Sequence, residues 1–443
     1  MGPLALLPSD QTVSTSDEQA RNHKSADDKI ELSHAAGANA LSKEVSVMLG
    51  AGDDSLKLTN IAAASNIEAG ASFKGGEGTD TLNITDGDVL SAVTGKQFAE
   101  FETLDLGDGE DTYDLAHLAS TNTIASVAVN ADLAGAATVS NVAEGATIDF
   151  GATTTSGLTV NQKDAGAGSP DDVIAVNASA KAGVTVASVD LNDIETVNVS
   201  SMSTGTNQTH TFSVLAADEA TKVTVDASTA GLTISDLEAD SMVLFDASAS
   251  AMAVSVTNGA AATFTATSGV AFNMGQAADT VDLTNADTAG AGLEFVVTGN
   301  GKGDAITLSA AGNVEHVVYK AQSDSTSADF DSVTNFAANE DKIDIKAFGF
   351  TGAADDAVLS KNVGNAGFST DTNGDVQITS AAAGNFFSDG GIDRAVAEYD
   401  DGTDVWVFVD ADKNGDFNAD GDMVIKLAGA NGAGLDAADF IFS

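Results

Sequence analysis

The sequence contains no cysteine, which excludes disulfides, thiolate metal sites and cysteine nucleophiles. Only three prolines occur, at positions 3, 8 and 170, so nearly every segment keeps the N–H groups that a β-ladder needs. Aromatic residues make up 5% of the chain. Basic residues are also scarce: 18 Lys and Arg stand against 66 Asp and Glu, for a formal charge of −48. That balance argues against nucleic acid, which needs basic patches, and against anionic membrane surfaces. No run of about 18 apolar residues is present to insert in a bilayer. The apolar run Leu4-Ala5-Leu6-Leu7 lies between two prolines with no basic residue before it, too short for a secretory signal. Catalytic signatures are missing as well. There is no Gly-x-Ser-x-Gly elbow, phosphate loop, dinucleotide fingerprint or H-E-x-x-H, and the five histidines, at 23, 34, 117, 210 and 316, are scattered. The expectation is a protein that is not an enzyme.

What is present is a β-rich texture. Short runs of Val, Ile, Leu and Thr alternate with Gly, Asn, Asp and Ser, as in Thr81–Thr85, Thr123–Val129, Gly157–Val160 and Val184–Asn192. Many short strands with frequent turns are expected, and small β-branched residues suit narrow stacked coils. Helical periodicity is scarce, although Asp88–Phe101 has room for a short helix. Residues 1–45 are polar and read as an extended or partly helical arm, with Ser16–His23 its most helix-tolerant stretch.

One stretch is distinctive. Gly75-Gly76-Glu77-Gly78-Thr79-Asp80-Thr81-Leu82-Asn83 fits, position by position, the nonapeptide G-G-x-G-x-D-x-U-x of calcium-binding β-rolls, with U apolar. Glycine permits the tight turn, and Asp offers a hard carboxylate oxygen of the kind Ca²⁺ requires. A partial copy at 49–57 supplies Gly50, Gly52 and Asp54, and another at 106–114 supplies Gly107, Asp108, Gly109 and Asp111. A looser one at 299–307 keeps Asp304 but displaces its glycines. Gly-x-Gly-x-Asp is also an ordinary turn sequence; the excess of acid favours a divalent cation. Asp54 and Asp80 are 26 residues apart and Asp80 and Asp111 are 31 apart, too far for a compact roll of about 18 residues per turn. A wider coil is expected, with Asp54, Asp80 and Asp111 in one column. A second repeat, Phe101-Glu102-Thr103-Leu104-Asp105-Leu106, recurs as Ile194–Val199 and loosely as Val314–Tyr319, each a candidate rung with its Glu facing outward.

Residues 320–443 gather the aromatics, including Phe330, Phe336, Phe348, Phe350, Phe368, Phe386, Phe387 and Trp406, and read as a compact module. Asp404–Asp410 and Asp422–Leu427 are expected to form a hairpin. Its connection places Asp410, Asp412, Asn414, Asp416 and Asn418 at loop positions 1, 3, 5, 7 and 9, with Gly415 at 6, an EF-hand-like spacing. Position 12 is Gly421, so Asp420 or Asp422 must replace the usual Glu. The run Asp371-Thr372-Asn373-Gly374-Asp375 reads as a plain turn.

Two motifs point to a family. Phe330-Asp331-Ser332-Val333-Thr334-Asn335-Phe336 followed by Glu340-Asp341-Lys342-Ile343-Asp344-Ile345 resembles the segment after the calcium repeats of proteins exported by bacterial type I secretion. The tail Leu435–Ser443, with Asp439-Phe440-Ile441-Phe442, resembles the uncleaved signal of that pathway. With the nonapeptides, the chain resembles the repeats-in-toxin (RTX) superfamily over roughly residues 46–115 and 290–443, and most closely its surface-layer proteins. It lacks the long tandem repeats and apolar pore-forming helices of the toxins. The resemblance implies calcium-triggered folding outside the cell and export through a three-component channel. The resulting expectation is an all-β fold: a calcium-binding parallel β-solenoid (β-roll or β-helix) at 46–319 and a compact β-rich module at 320–443. Its function would be that of a surface-layer or filament subunit of a Gram-negative bacterium, located at the cell surface or in the extracellular matrix. The partners would be further copies of itself and cell-surface polysaccharide. The alternative is an adhesin that binds glycan, ice or biofilm, for which the Thr-rich stretch Thr263–Thr267 is a candidate face.

Overall fold

The computed structural model describes residues 10–14, 20–22, 27–33, 41, 45–59, 61, 63–166, 171–259, 263–264, 269–288, 294–309, 312–351, 358–361, 367–372, 374–379, 383–432 and 434–443. The fold is all-β, a parallel β-solenoid with very little helix. The chain divides into two compact units, residues 1–205 with 210–219, and residues 206–209 with 220–443.

In the first unit one sheet stacks Asp10–Ser14, Lys29–Ser33, Ser55–Thr59, Thr81–Ile84, Thr103–Asp105, Ser126–Val129, Thr147–Phe150, Val173–Ser179 and Thr196–Met202, each parallel to the next. A second sheet runs through Thr112–Asp114, Ala137–Val142, Gly157–Gln162, Ser188–Asn192 and Leu215–Ala216. A third, shorter one joins Ala20–Asn22, Ser46–Ala51, Ser72–Glu77 and Phe98–Ala99. The alternation in the sequence explains the stacking. In Ser55-Leu56-Lys57-Leu58-Thr59 the leucines are buried and the polar residues are not. Parallel pairing in fixed register then lines like residues up. Ile30, Leu56, Leu82, Leu104, Val127, Ile148, Val176 and Val199 form one buried column. Each such side chain contributes roughly 1.5–3 kcal/mol by leaving water, and a slip of one residue would expose the whole column. Phe73 and Phe98 stack at 5.1 Å between ring centroids in the third sheet.

The coil therefore begins inside the segment expected to be an arm, because Asp10–Ser14, Ala20–Asn22 and Lys29–Ser33 are rungs. Leu4, Leu6 and Leu7, and most of Ser16–His23, lie outside the described residues. The expected helix at Asp88–Phe101 is replaced by two 3₁₀ turns, Gly87–Val89 and Thr94–Gln97. Gly87 and Gly95 admit close backbone approach from the next coil, which a longer helix would block.

The second unit repeats the plan. Val223, Phe245, Phe272, Val297, Val317, Ile343 and Phe440 form one column of its first sheet. Ile234, Val256, Val281, Ile306, Val333 and Leu427 form a column of its second. Beyond Asp331–Thr334 the second sheet turns mixed: Met423–Ala428 continues it in parallel, then Val405–Val409 and Val396–Asp400 add antiparallel, and Val358–Lys361 ends it. The expected hairpin is present. Phe386, Phe387, Tyr399, Trp406, Phe408 and Phe417 fill an aromatic cluster over it. The tail packs into this unit: Phe440–Ile441 pairs with Ile343–Asp344, and Asp439 is fully buried, accepting from the N–H of Asn339 and of Asp436. Phe368–Thr370 and Val376–Ile378 make an antiparallel pair across the turn that begins at Asp371.

The glycine corners set the coil spacing. Gly50, Gly52, Gly76 and Gly78 have φ of 114°, 134°, 127° and 142°. A Cβ on Gly76 would lie 1.9 Å from the Gly50 carbonyl oxygen, and one on Gly78 would lie 2.0 Å from that of Gly52. Gly76→Ala therefore combines a forbidden φ with a backbone clash. It is expected to lower stability by roughly 3 kcal/mol or more in urea unfolding, whereas Gly145→Ala, with open space around it, is expected to cost about 1 kcal/mol.

Candidate metal centre

The hairpin connection builds a carboxylate cluster from local rules. Val409 pairs with Met423, and the chain between them must close a thirteen-residue loop, 410–422. Asp410 opens it by folding back on its own backbone: Asn414 N–H donates to Oδ1 and Gly415 N–H to Oδ2, each at 3.0 Å. Gly415 takes φ of 80°, the turn that glycine was expected to supply. Asp412 accepts from the Asn414 amide nitrogen at 2.7 Å and from that of Asn418 at 2.9 Å. Asp422 closes the loop, accepting from Asn418 N–H at 2.7 Å and Ala411 N–H at 3.1 Å. As a result, oxygens of Asp410, Asp412 and Asp422 lie within 4.8 Å of one another.

The electrostatics follow from that packing. Asp410 and Asp422 are buried while Asp412 opens to solvent. Burial pushes Asp410 up to about 6, and the Asp412 charge adds to it. Burial likewise pushes Asp422 up to about 7, with the charges of Asp412 and Asp410 adding. Backbone donors already hold the oxygens of Asp410 and Asp422 in place, one to each, so each keeps a second lone pair, whereas Asp412 Oδ2 accepts from both the Asn414 and Asn418 amides. A hard dication at this point would relieve the repulsion and find carboxylate oxygens as ligands. At position 12 of the loop a Cβ on Gly421 would meet Asn418 Oδ1 and Asp412 Oδ2, both at 2.6 Å, so a side chain there would displace the carboxylate and amide ends that form the cluster. Of the two acids beside it, the cluster takes Asp422. Asn414 borders the cluster through its bond to Asp412, whereas Asp416 turns away and accepts from Asn385 N–H.

The glycine-aspartate motifs occupy a different kind of place. Asp54 and Asp80 are buried at the corner where the third sheet passes into the first. Each accepts a backbone N–H from the coil before: Asp28 N–H to Asp54 Oδ1 at 2.7 Å, Asp54 N–H to Asp80 Oδ1 at 2.8 Å, and Asp80 N–H to Glu102 Oε2 at 2.9 Å. Burial, then the charges of Asp54, Glu102 and Asp53, push Asp80 up to about 6. The Asp80 Oδ2 atom is buried with no hydrogen-bond partner among the described residues. Asp111 is not in this column. It precedes Thr112–Asp114 in the second sheet and accepts from Gly87 N–H at 3.1 Å. Twenty-six residues return the chain to the same corner, and thirty-one carry it on to another. In that third motif Gly107 turns at φ 57°, Gly109 packs against the Tyr113 hydroxyl, and Asp108 is exposed.

Asp304 belongs to a second ladder that the sequence reading only half identified. Val254 N–H donates to Asp279 at 2.7 Å, Asp279 N–H to Asp304 at 2.7 Å, and Asp304 N–H to Asp331 at 2.8 Å. Asn300 and Lys302 have φ of 66° and 78°, and they precede Asp304 by the same intervals as Gly76 and Gly78 precede Asp80. The displaced glycines are thus a substituted corner, with left-handed Asn and Lys in the turning positions. Burial pushes Asp279 up to about 6 and Asp304 up to about 9, the Asp331 charge adding to the latter. Asp331 is held well above the usual carboxylate range by burial.

The repeated Glu residues do not simply face outward. Glu102 and Glu195 take the place of Asp in these ladders, accepting from the N–H of Asp80 and Asp172, and Glu315 is buried against Ser309 and Asp341. In that last copy Val314 is exposed instead. A corner carboxylate is needed wherever the buried N–H of the preceding Asp lacks another acceptor.

On the outer face of the first unit, Ser55, Thr81, Thr103, Ser126 and Thr147 are in register, a half-exposed rank of hydroxyls. Of Thr263–Thr267, only residues 263–264 are among those described. Among the described residues no helix is long and apolar enough to cross a membrane. No protein-family model matches the chain, and no curated protein is significantly similar to it.

Proposed function

We propose that this chain is a calcium-dependent, self-assembling structural protein of the cell exterior, a surface-layer or filament subunit exported by the type I route. The observation that carries the reading is the convergence of Asp410, Asp412 and Asp422, two of them buried, in a loop that closes the last hairpin. Calcium would be held there by these carboxylates with Asn414 beside them, and it would supply the positive charge that the buried pair lacks. The Asp54–Asp80 corner is a second candidate, because the free buried oxygen of Asp80 is a ready acceptor for a cation. Assembly is supported by the edge strand Phe440–Ile441, which among the described residues pairs on one side only. An open parallel edge templates another strand. Chains of formal charge −48 would repel one another until calcium lowers that charge. The export reading rests on the tail sequence, which would be recognised before it packs against Ile343.

The test is to incubate purified chain with millimolar calcium or with chelator and follow light scattering and electron micrographs. Ordered sheets or filaments in calcium alone are expected. A monomer under both conditions would refute assembly. It would favour the second reading, a surface adhesin, which the hydroxyl rank from Ser55 to Thr147 supports.

A further inference from the structure

The outward face of the second unit's first sheet carries a groove of about 300 Å³, at the lower end of the size range of small-ligand sites. Its floor is aliphatic. Val296 lies beside His316 in the ladder, and Val318 beside Asp344. These residues point outward because Val297, Val317 and Ile343, which alternate with them, are buried. Its walls are polar and paired. His316 Nδ1 meets Glu294 Oε1 at 2.9 Å, and Lys346 Nζ meets Asp344 Oδ2 at 2.5 Å. Lys320 stands at the same groove, and no described carboxylate lies within ion-pair range of its ammonium. In a chain with only 18 Lys and Arg, two lysines and a histidine lining one groove make a local exception to the acidic surface.

We propose that this groove binds an acidic sugar, a pyranose ring that carries a carboxylate, as a unit of an extracellular polyuronate. The chemistry of each wall selects it. The methyl floor suits the C–H face of a ring. The His316–Glu294 and Lys346–Asp344 pairs each present a donor and an acceptor side by side, which matches vicinal hydroxyls. Lys320, with no carboxylate in ion-pair range among the described residues, supplies a positive charge for the carboxylate. A polyanion is repelled by most of this surface, so binding must be local to such an exception. The groove contains none of the loop carboxylates, so this site stands or falls separately from calcium-driven assembly.

The experiment is isothermal titration of the full chain in calcium with a galacturonate trisaccharide, with the neutral galactose trisaccharide of the same linkage, and with acetate. The acidic trisaccharide is expected to bind at least roughly tenfold more tightly than the neutral one, a preference worth one charge contact. Lys320→Glu is expected to abolish that preference while leaving the circular dichroism unchanged. Glu294→Gln is expected to weaken the neutral sugar, whose hydroxyls lose the charged acceptor, and to weaken the acidic one less, because a negative charge leaves the groove wall. Equal binding of the acidic and neutral sugars, no binding of either, or an unchanged preference in Lys320→Glu would overturn the proposal. Acetate binding as tightly as the acidic trisaccharide would overturn it too, by showing a site for any carboxylate rather than for a sugar.

Discussion

In calcium the chain is expected to melt about 5–10 °C higher than in chelator, and Asp422→Asn is expected to erase that difference. A ligand at a hundred times its dissociation constant stabilises the folded state by about 2.7 kcal/mol, and each kcal/mol moves the midpoint of a domain of this size by about 2–4 °C. The variant separates two roles of one carboxylate. Asn keeps an acceptor for the N–H of Asn418 or Ala411 and keeps the shape, but it removes the charge. Because Asp422 is pushed up to about 7 and Asp410 to about 6, their ionised forms repel in the metal-free protein. Asp422→Asn should therefore leave the chelated protein as stable as the parent, or more so, at pH 8. In calcium the same variant should be the less stable of the two. Asp422→Ala differs, since it leaves two partly buried N–H groups without their acceptor and should destabilise in both buffers by roughly 1–3 kcal/mol. Scanning calorimetry of the three proteins, with and without calcium, reads all of these outcomes. An undiminished calcium shift in Asp422→Asn would place the metal elsewhere, and no shift in the parent would remove calcium from the loop altogether.

The coil was legible in the sequence because its signal is simple. Two-residue alternation, frequent turns and almost no proline specify stacked parallel rungs, and Ser55-Leu56-Lys57-Leu58-Thr59 is buried as that pattern dictates. The 26-residue interval between Asp54 and Asp80 gave the width of one coil correctly. The interval to Asp111 was misleading, because one Gly-x-Gly-x-Asp string can turn the chain at any corner and the string does not say which. A better signal was present. Asp28-Lys29-Ile30-Glu31-Leu32, Asp54-Ser55-Leu56-Lys57-Leu58, Asp80-Thr81-Leu82-Asn83-Ile84, Asp279-Thr280-Val281-Asp282-Leu283 and Asp304-Ala305-Ile306-Thr307-Leu308 all place Asp one residue before a strand and two before its first buried aliphatic. Asp-x-aliphatic-x-aliphatic marks the corner ladder more faithfully than glycine does, because the carboxylate is what accepts the buried N–H. Asn300 and Lys302 show that the turning positions themselves tolerate other residues. The loop 410–422 was readable as a ligand spacing. Which acid replaces the missing Glu, and that Asp416 leaves the cluster, depended on contacts with Asn418 and Asn385 that spacing alone does not encode.

Without metal, the protein is expected to be more stable at pH 5 than at pH 8, and Asp304→Asn is expected to remove much of that slope. The groups facing Asp304 are all acidic or neutral: Asp331, Asp279 and Asp324 by charge, with the Tyr319 hydroxyl against Asp331. Burial is the main cause of its rise to about 9, and the Asp331 charge comes second. The sign follows from proton counting. An unfolded Asp releases its proton near 3.8, while the folded ladder holds one on Asp304 until about 9. Across that window the native state binds more protons, so stability is complete below the unfolded value and is lost as pH rises through the folded one. Each proton held contributes a slope of about 1.4 kcal/mol per pH unit. Asp279, pushed up to about 6, adds to the slope only at the acid end. Asn in place of Asp304 imitates the protonated acid and leaves an acceptor for Asp279 N–H. The variant should therefore gain on the parent as pH rises above the unfolded value, by roughly 1–2 kcal/mol at pH 5 and on the order of several kcal/mol at pH 8. Surface repulsion from a formal charge of −48 also weakens the fold at high pH, but removing one charge from so many changes that background little. Urea unfolding in chelator from pH 5 to pH 8 measures both slopes. Parallel curves for parent and Asp304→Asn would show that the ladder is ionised in the folded protein at neutral pH.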